Sequence, residues 1–376
     1  MPFSARIGFY QDQAVAPAPA GYPDWPTQAT EAQFDTEVAL YSGVAGTPSN
    51  NNFGQTLSGT TNYRGGCRAP NGNIYCFPRS DTPIWEIDPD ANTSTLINTG
   101  LIASNEYTGG SLGGNGNIYL APFSGTNVLE FDPVNRTYRE IATGLTGTNK
   151  YNGAVMDTTG NVFCIPQNQT TCVKVDCSVE PVSISTVNFG ATFGSARYIS
   201  GTVHPNGNIY LAPLQSDSFL ELDPATETST TYSTGKGTGA LLCQGALTGA
   251  DGKIYGVSYN SSTILRLDPD TGTVDEPFTH GQGTNAFIGG VAAPNGNIYL
   301  APFDADNIYE IDPLAGTAST ITLYSADDEF VGAVSDEANV YFIPNNALGV
   351  EVLPTNATGG TNANAYTLSS YVNSGL

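Results

Sequence analysis

Short apolar stretches with interspersed polar residues recur along the chain, and most of them end in Asp-Pro. The segment from Val128 to Pro133 reads Val-Leu-Glu-Phe-Asp-Pro, and similar segments begin at Trp85, Leu220 and Tyr309. Alternation with a period of two indicates a β-strand that buries one face. The Asp-Pro pair then predicts a turn, because Asp accepts local backbone hydrogen bonds and Pro presets φ.

A second motif sets the period of the chain. Asn-Gly-Asn-Ile-Tyr begins at residues 71, 115, 206 and 295, and weaker copies begin at 159, 251 and 337. The seven copies are therefore 42 to 47 residues apart, which is the repeat length of propeller blades. We predict an all-β fold, a seven-bladed β-propeller of four-stranded antiparallel blades.

Each copy divides into four predicted strands. A Gly-rich strand comes first, and Asn-Gly then predicts a two-residue type I′ hairpin turn. The Ile-Tyr strand and the alternating strand follow, and a Thr/Ser-rich strand suits a solvent-facing outer edge. Small residues lie five positions before the turn Asn, where the innermost strands would crowd the axis: Gly66, Gly110, Ala154, Gly201, Ala246 and Gly290, with Gly332 in the shorter seventh copy.

The domain boundaries follow from the repeat. Residues 36–355 form the predicted propeller, in which residues 36–43 resemble the outermost strand of other copies and are expected to close the last blade. The alternative closing strand is 365–369. Residues 1–35 are rich in Pro and Ala, which favours an extended arm, and a disordered tail is the alternative. Residues 356–376 form a C-terminal tail that is a second candidate arm.

An aromatic residue precedes the small residue in six copies. The sequence leaves two interpretations open, namely packing at the mouth of the channel and an aromatic-lined ligand site on the axis. The row consists of Tyr63, Tyr107, Tyr151, Tyr198, Phe287 and Phe330, with Cys243 in the fifth copy.

Composition narrows the range of partners. The chain of 376 residues carries 12 Lys+Arg against 35 Asp+Glu, a formal net charge of −23. Such an acidic chain repels nucleic acid and anionic membrane surfaces. It contains only two histidines, too few for a His-rich metal centre. We expect no bound cofactor or metal, no catalytic constellation, no membrane insertion and, without an apolar leader at the N-terminus, synthesis in the host cytoplasm.

One cysteine pair is a candidate disulfide. If the first hairpin turns at Asn71-Gly72, Cys67 and Cys76 face each other in a non-hydrogen-bonded pair, which is the closer kind. A disulfide is then feasible, whereas cytoplasmic synthesis favours free thiols.

The Asn-Gly-Asn-Ile-Tyr strand and the following apolar-Glu-apolar-Asp-Pro strand resemble the seven-bladed repeats of the NHL, YVTN and virginiamycin B lyase-like groups over residues 36–355. This resemblance implies the fold. The lyases of the group use a metal with His and Glu ligands, but His204 and His280 lie in different copies, so that activity is not carried over. Similar repeats also resemble structural proteins of tailed phages.

These observations favour a non-enzymatic structural or interaction protein of a phage virion, with terminal arms binding other virion proteins on the capsid or tail. Loops between the second and third strands would share one face and contact neighbouring proteins or a host glycan or receptor. The candidate contact residues are Asp81, Thr126, Asp217 and Asp306. The alternatives are a lyase or lactone hydrolase with an axial metal, and a glycan-binding lectin.

Overall fold

The computed structural model describes residues 45–57, 63–79, 83–100, 106–324, 329–336 and 338–355. The predicted arms at 1–35 and 356–376 and the segments 36–43 and 365–369 lie outside the described residues. No described residue belongs to a helix that is long and apolar enough to cross a membrane.

The described chain forms 28 strands. The first lies before the repeats: β1 (Ser49–Asn51). Blades one and two are built by β2 (Tyr63–Arg68), β3 (Ile74–Pro78), β4 (Ile84–Asp88), β5 (Thr93–Ile97), β6 (Tyr107–Leu112), β7 (Ile118–Pro122), β8 (Asn127–Asp132) and β9 (Thr137–Ala142). Blades three and four are built by β10 (Tyr151–Met156), β11 (Val162–Pro166), β12 (Cys172–Asp176), β13 (Ser183–Val187), β14 (Gly201–Val203), β15 (Ile209–Leu211), β16 (Ser218–Asp223) and β17 (Thr228–Ser233). Blades five and six are built by β18 (Cys243–Thr248), β19 (Ile254–Ser258), β20 (Thr263–Asp268), β21 (Thr273–Thr279), β22 (Phe287–Ala292), β23 (Ile298–Pro302), β24 (Asn307–Asp312) and β25 (Thr317–Thr322). The seventh blade contains β26 (Phe330–Ser335), β27 (Asn339–Pro344) and β28 (Val350–Pro354).

The strands form seven four-stranded antiparallel sheets, and in six of them the strands follow chain order from the inside outward. Each innermost strand contacts the innermost strands of both neighbouring blades, and β26 contacts β2, so the ring is closed. The prediction of a seven-bladed β-propeller with four-stranded blades is confirmed. The outermost strands β5, β9, β13, β17, β21 and β25 are largely exposed, as their Thr/Ser content predicts.

The ring closes with a strand from the N-terminal side, but not with the predicted one. Strand β1 is the fourth strand of the last blade, pairing antiparallel with β28 through Ser49↔Val352 and Asn51↔Val350. The closing strand is therefore 49–51 rather than 36–43. Sequence similarity to the outer strands was misleading, because exposed Thr/Ser-rich segments carry little specific pattern.

The hairpin between the first and second strands is not the predicted type I′ turn. Only Gly72 of the Asn71-Gly72 pair has positive φ, at 88°, and the Gly72 N–H donates to the Ala69 carbonyl at 2.9 Å. A type I turn followed by a left-handed Gly fits this three-residue hairpin. The extra residue shifts the register, so that Cys67 opposes Tyr75 and Cys76 opposes Gly66.

The shift removes the geometric reason for a disulfide. Cys67 and Cys76 belong to different hydrophobic clusters, as expected when their side chains leave opposite faces of the sheet. All six cysteines are free and buried. The prediction that Cys67 and Cys76 face each other is wrong.

Small residues in the innermost strands have two different causes. A Cβ on Gly110 would lie 2.6 Å from the Tyr119 carbonyl oxygen, within the same blade, where the register shifts between Tyr107 and Gly110. Crowding between blades occurs one position earlier in the repeat, where a Cβ on Gly332 would lie 3.2 Å from Gly65 Cα. Gly332 is thus the counterpart of Gly65. Ala333, rather than the predicted Gly332, is the counterpart of Gly66 in the row of small residues.

The repeated polar residues form one network in each of four blades. In blade two, the Tyr119 hydroxyl donates to Glu130 Oε1 at 3.0 Å, Asn117 Nδ2 donates to the same oxygen at 2.8 Å, and Asn115 Nδ2 donates to the Tyr119 hydroxyl at 2.8 Å. Blades one, four and six repeat these bonds. The Asn-Gly-Asn-Ile-Tyr motif and the Glu of the third strand are therefore architectural, since each satisfies the other's buried polar atoms.

Candidate ligand-binding site on the ring axis

A cavity of about 230 Å³ lies where the innermost strands converge. Residues from six different blades line it, which places it on the ring axis. Two positions recur in the lining, one near the start of the first strand and one directly after the second strand. The lining residues are Arg64, Arg79, Thr108, Phe123, Asn152, Gln167, Ala196, Ile199, Leu214, Gln244, Tyr259, Ile288 and Phe303.

The lining positions are offset by one residue from the predicted aromatic row. Arg64 follows Tyr63 in strand β2, and Thr108 follows Tyr107 in strand β6. Consecutive residues of a strand point to opposite faces, so the aromatic side chain enters the blade while its successor faces the axis. Of the two interpretations left open for the aromatic row, ligand contact therefore falls to the next residue of the same strands.

The six aromatic residues are buried, each at most 3% exposed. Tyr63 packs on Trp85 with ring centroids 5.7 Å apart, and Phe287 packs on His280 at 5.2 Å. The Tyr107 hydroxyl donates to Glu140 at 2.8 Å. This burial supports the packing interpretation, so replacing Tyr107 or Tyr151 by Ala would test folding rather than ligand binding.

Backbone hydrogen bonds between successive blades hold the rim of the cavity. The Lys150 N–H donates to the Phe123 carbonyl at 2.9 Å, and the Gln167 N–H donates to the Lys150 carbonyl at 2.8 Å. The same alternation continues from Leu214 through Tyr259 to Phe303. Because these bonds fix the backbone at Phe123, Gln167, Leu214 and Tyr259, this part of the cavity is preorganised.

Two cations dominate the electrostatics of the cavity. Burial, together with the positive charge of Arg79, lowers the pKa of Arg64 to about 10, and the negative charge of Glu329 opposes this shift. Burial also lowers the pKa of Arg79. Arg64 remains charged at neutral pH, and no described residue forms a hydrogen bond or ion pair with its guanidinium.

Three of the four predicted contact residues lie on the same face as the cavity. Thr126, Asp217 and Asp306 each follow a lining residue by three positions in the loop after the second strand. Thr126 and Asp306 are exposed and Asp217 is half-buried. Asp81 lies outside the described residues. The predicted loops therefore surround the cavity, although the sequence did not indicate the cavity itself.

Both histidines belong to the scaffold. His204 Nε2 donates to the Gly252 carbonyl at 3.0 Å, and its Nδ1 accepts from the Asn206 N–H at 3.1 Å. His280 Nε2 donates to the Ser261 carbonyl at 2.8 Å, and burial lowers its pKa. Among the described residues, no three His, Cys, Asp or Glu side chains converge as metal ligands would.

The lining differs from the scaffold in one informative way. In four blades the buried network repeats the same residue types, whereas the axial position changes at almost every blade. It is Arg64, Thr108, Asn152, Ile199, Gln244 and Ile288 in blades one to six. Since the backbone surroundings are equivalent by the repeat, packing within a blade does not require this variation.

The fold and the axial cavity define a seven-bladed repeat propeller. Residues 129–327, which are 199 of the 376 residues, match the family described as "Repeat of unknown function (DUF6923)". The chain belongs to this family. The comparison with curated proteins finds no match.

Solved structures with similar folds include a streptogramin B lyase, with a TM-score of 0.70 and 15% identity over 82% of this chain and 98% of that one. A catalytically inactive virginiamycin B lyase from Staphylococcus aureus with quinupristin has a TM-score of 0.68 and 11% identity, over 82% of this chain and 99% of that one. YCF48 bound to D1 peptide has a TM-score of 0.58 and 12% identity, over 84% of this chain and 98% of that one. At these identities the likeness shows the fold alone.

Proposed function

We propose that this chain is a non-enzymatic interaction protein of a phage virion, mounted on the capsid or tail by its terminal segments, and that it recognises a glycan through the axial pocket. The observation that carries the recognition role is the pocket lining, which varies between blades while the surrounding network repeats. Such variation gives one face of a symmetric ring an asymmetric surface, which a specific ligand needs.

The chemistry of the lining supports a glycan. Asn152, Gln167 and Gln244 offer amide donors and acceptors, and Asn152 Nδ2 donates to Gln167 Oε1 at 3.2 Å. Phe123 and Phe303 offer apolar surface beside them. A few placed polar groups in an apolar cleft are typical of small-ligand sites. Such sites usually have a volume of roughly 300–1,000 Å³, which is larger than the volume of this cavity. The pocket therefore suits one terminal residue of a larger ligand.

The enzymatic alternative finds less support. A metal-assisted lyase or lactone hydrolase needs carboxylate or histidine ligands close to the axis. The described residues that line the cavity include neither.

Glycan-array binding tests the recognition role. Asn152→Ala removes an amide from the pocket, and Asn135→Ala removes one from an exposed turn on blade two, where Asn135 Nδ2 donates to Asp132. We expect the first variant to lose binding and the second to keep it. Equal binding by both variants, or no binding by the unaltered protein, would contradict the proposal.

Truncation tests the mounting role separately. A chain without residues 1–35 keeps every described residue, so we expect it to fold and to bind glycans as before while failing to join the native particle. If this shortened chain still assembles into the virion, the N-terminal segment is not the mount.

A further inference from the structure

Three consecutive blades line the axial pocket with an amide pair, an aliphatic pair and a further amide. Blade three contributes Asn152 and Gln167. Blade four contributes Ile199 and Leu214, and each of these is at most 5% exposed. Blade five contributes Gln244 at its axial position. An apolar surface therefore lies between two amide-bearing surfaces along this part of the ring.

The lining residues of blades three and five are hydrogen-bonded in pairs, and each pair retains hydrogen-bonding atoms. Asn152 Nδ2 donates to Gln167 Oε1 at 3.2 Å. Burial raises the pKa of Tyr259, and a hydrogen bond that its hydroxyl accepts from Gln244 opposes this shift. A primary amide carries two donor hydrogens and one acceptor oxygen. Blade three therefore keeps Gln167 Nε2 as a donor and blade five keeps Gln244 Oε1 as an acceptor, and no described residue bonds to either atom.

Backbone hydrogen bonds between successive blades hold this part of the rim. The Gln167 carbonyl accepts from the Ala196 N–H at 2.9 Å. The Leu214 carbonyl accepts from the Leu242 N–H at 2.9 Å, and the Tyr259 N–H donates to the Leu242 carbonyl at 2.8 Å. The backbone is thus fixed in blades three, four and five, so a ligand that binds there meets groups that are already ordered.

Aromatic surface completes the pocket beside the second amide. Tyr259 and Phe303 pack against a small cluster of the buried side chains Ile288 and Val331. Both rings are half-buried and line the cavity. A sugar ring has aliphatic hydrogens on its faces, and it gains free energy when these are buried against apolar rings. This surface therefore suits the ring of a sugar whose substituent reaches the amides.

We propose that the pocket binds a 2-acetamido sugar, an N-acetylhexosamine residue. The acetamido carbonyl accepts from Gln167 Nε2, the acetamido N–H donates to Gln244 Oε1, and the methyl group packs on Ile199 and Leu214. The N–H and carbonyl of a planar trans amide point in opposite directions, so blades three and five bind them from either side of blade four. A neutral ligand also avoids repulsion by a chain of formal charge −23. This inference rests on the proposed recognition of glycans and narrows it to a chemical class.

Calorimetric titration with matched sugars tests the inference. The probes are N-acetylglucosamine and N-acetylgalactosamine, the parent hexoses glucose and galactose, and the N-formyl analogues, which keep the amide but lack the methyl group. We expect at least one N-acetyl sugar to bind about 10-fold more tightly than its parent hexose, because the amide makes two placed hydrogen bonds. Its N-formyl analogue should bind about 3- to 5-fold more weakly than the N-acetyl sugar, as the loss of one buried methyl group implies.

A variant of Gln167 locates the contact. Gln167→Glu keeps the size of the side chain and removes the amide donor, so it should bind the N-acetyl sugar about 10-fold more weakly and the parent hexose nearly as before. Gln169→Glu is the matched control, since it makes the same change outside the cavity lining, where Gln169 Nε2 donates to the Thr146 carbonyl at 3.3 Å. If Gln167→Glu folds poorly, the N-acetyl and N-formyl sugars still decide the question in the unaltered protein.

The outcomes separate this inference from the proposed function. If N-acetyl sugars bind no more tightly than their parent hexoses or their N-formyl analogues, the glycan site stands and the acetamido specificity is overturned. An N-acetyl preference that is equal in Gln167→Glu and Gln169→Glu overturns it as well. If no probe binds but glycan arrays reveal another ligand that Asn152→Ala loses, only this inference fails. If the arrays are also blank, both proposals fail.

Discussion

The buried Tyr119 hydroxyl is the centre of the repeated network, so its removal tests whether the network stabilises the ring. In Tyr119→Phe, Glu130 Oε1 loses the hydroxyl donor at 3.0 Å but keeps Asn117 Nδ2 at 2.8 Å, and Glu130 Oε2 keeps Arg139. Asn115 is only half-buried, so water can replace its lost acceptor. The net loss is one hydrogen bond to a charged acceptor, worth about 1.5–3 kcal/mol.

Urea denaturation of Tyr119→Phe and of Tyr138→Phe measures this loss. Tyr138 lies on the outer strand of the same blade and is 39% exposed, so its variant should stay within about 0.5 kcal/mol of the unaltered protein. Far-UV circular dichroism and the fluorescence of buried Trp85 should give coincident transitions, and the m-value should be unchanged. Equal midpoints for the two variants would refute the claim that the network is stabilising.

Three further outcomes follow from the structure. Gly110→Ala should destabilise the protein by about 1–3 kcal/mol, since its Cβ meets the Tyr119 carbonyl, while Gly283→Ala, with open space around it, should be neutral in the same denaturation assay. Because all six cysteines are buried and burial raises the pKa of each thiol, a thiol reagent should label none in the native state and six after unfolding; any native labelling contradicts this. A chain starting at residue 45 should match the full chain in thermal unfolding, whereas one starting at residue 53 loses β1, exposes the edge of β28 and should self-associate on a sizing column.

The fold could be predicted because the same pattern of strands and turns occurs seven times along the chain. The strand pattern, the Asp-Pro turns and the period of 42 to 47 residues agree with one another, and such agreement across levels is what specifies a fold. The predictions about facing residues failed because the register of the strand pairing differs by one residue from the one expected. The three-residue hairpin at Gly72 moved Cys67 out of line with Cys76, and the sequence does not distinguish this hairpin from the two-residue turn, because both place Gly after Asn.

The blades that lack the third-strand Glu show how the buried network tolerates substitution, and the sequence alone already indicates these positions. Where the third-strand Glu is replaced, the replacement is cationic, and the network changes to a cation lying over the aromatic ring of the second strand. Lys174 lies 5.9 Å from the Phe163 ring and Arg266 lies 5.9 Å from the Tyr255 ring. Tyr255 then donates to Asp251 at 2.9 Å, which stands where other blades have the turn Asn. These exchanges are compensated within one blade, so they remain architectural.

The axial position varies together with the second lining position, and both face the cavity. Arg64 and Arg79 hold the two positions in blade one, and Gln244 and Tyr259 hold them in blade five. In blade three the two side chains contact each other, since Asn152 Nδ2 donates to Gln167 Oε1 at 3.2 Å. An alignment of the blades could reveal these two rows as internal positions that vary together. The aromatic row repeats from blade to blade instead, because its buried side chains pack the ring.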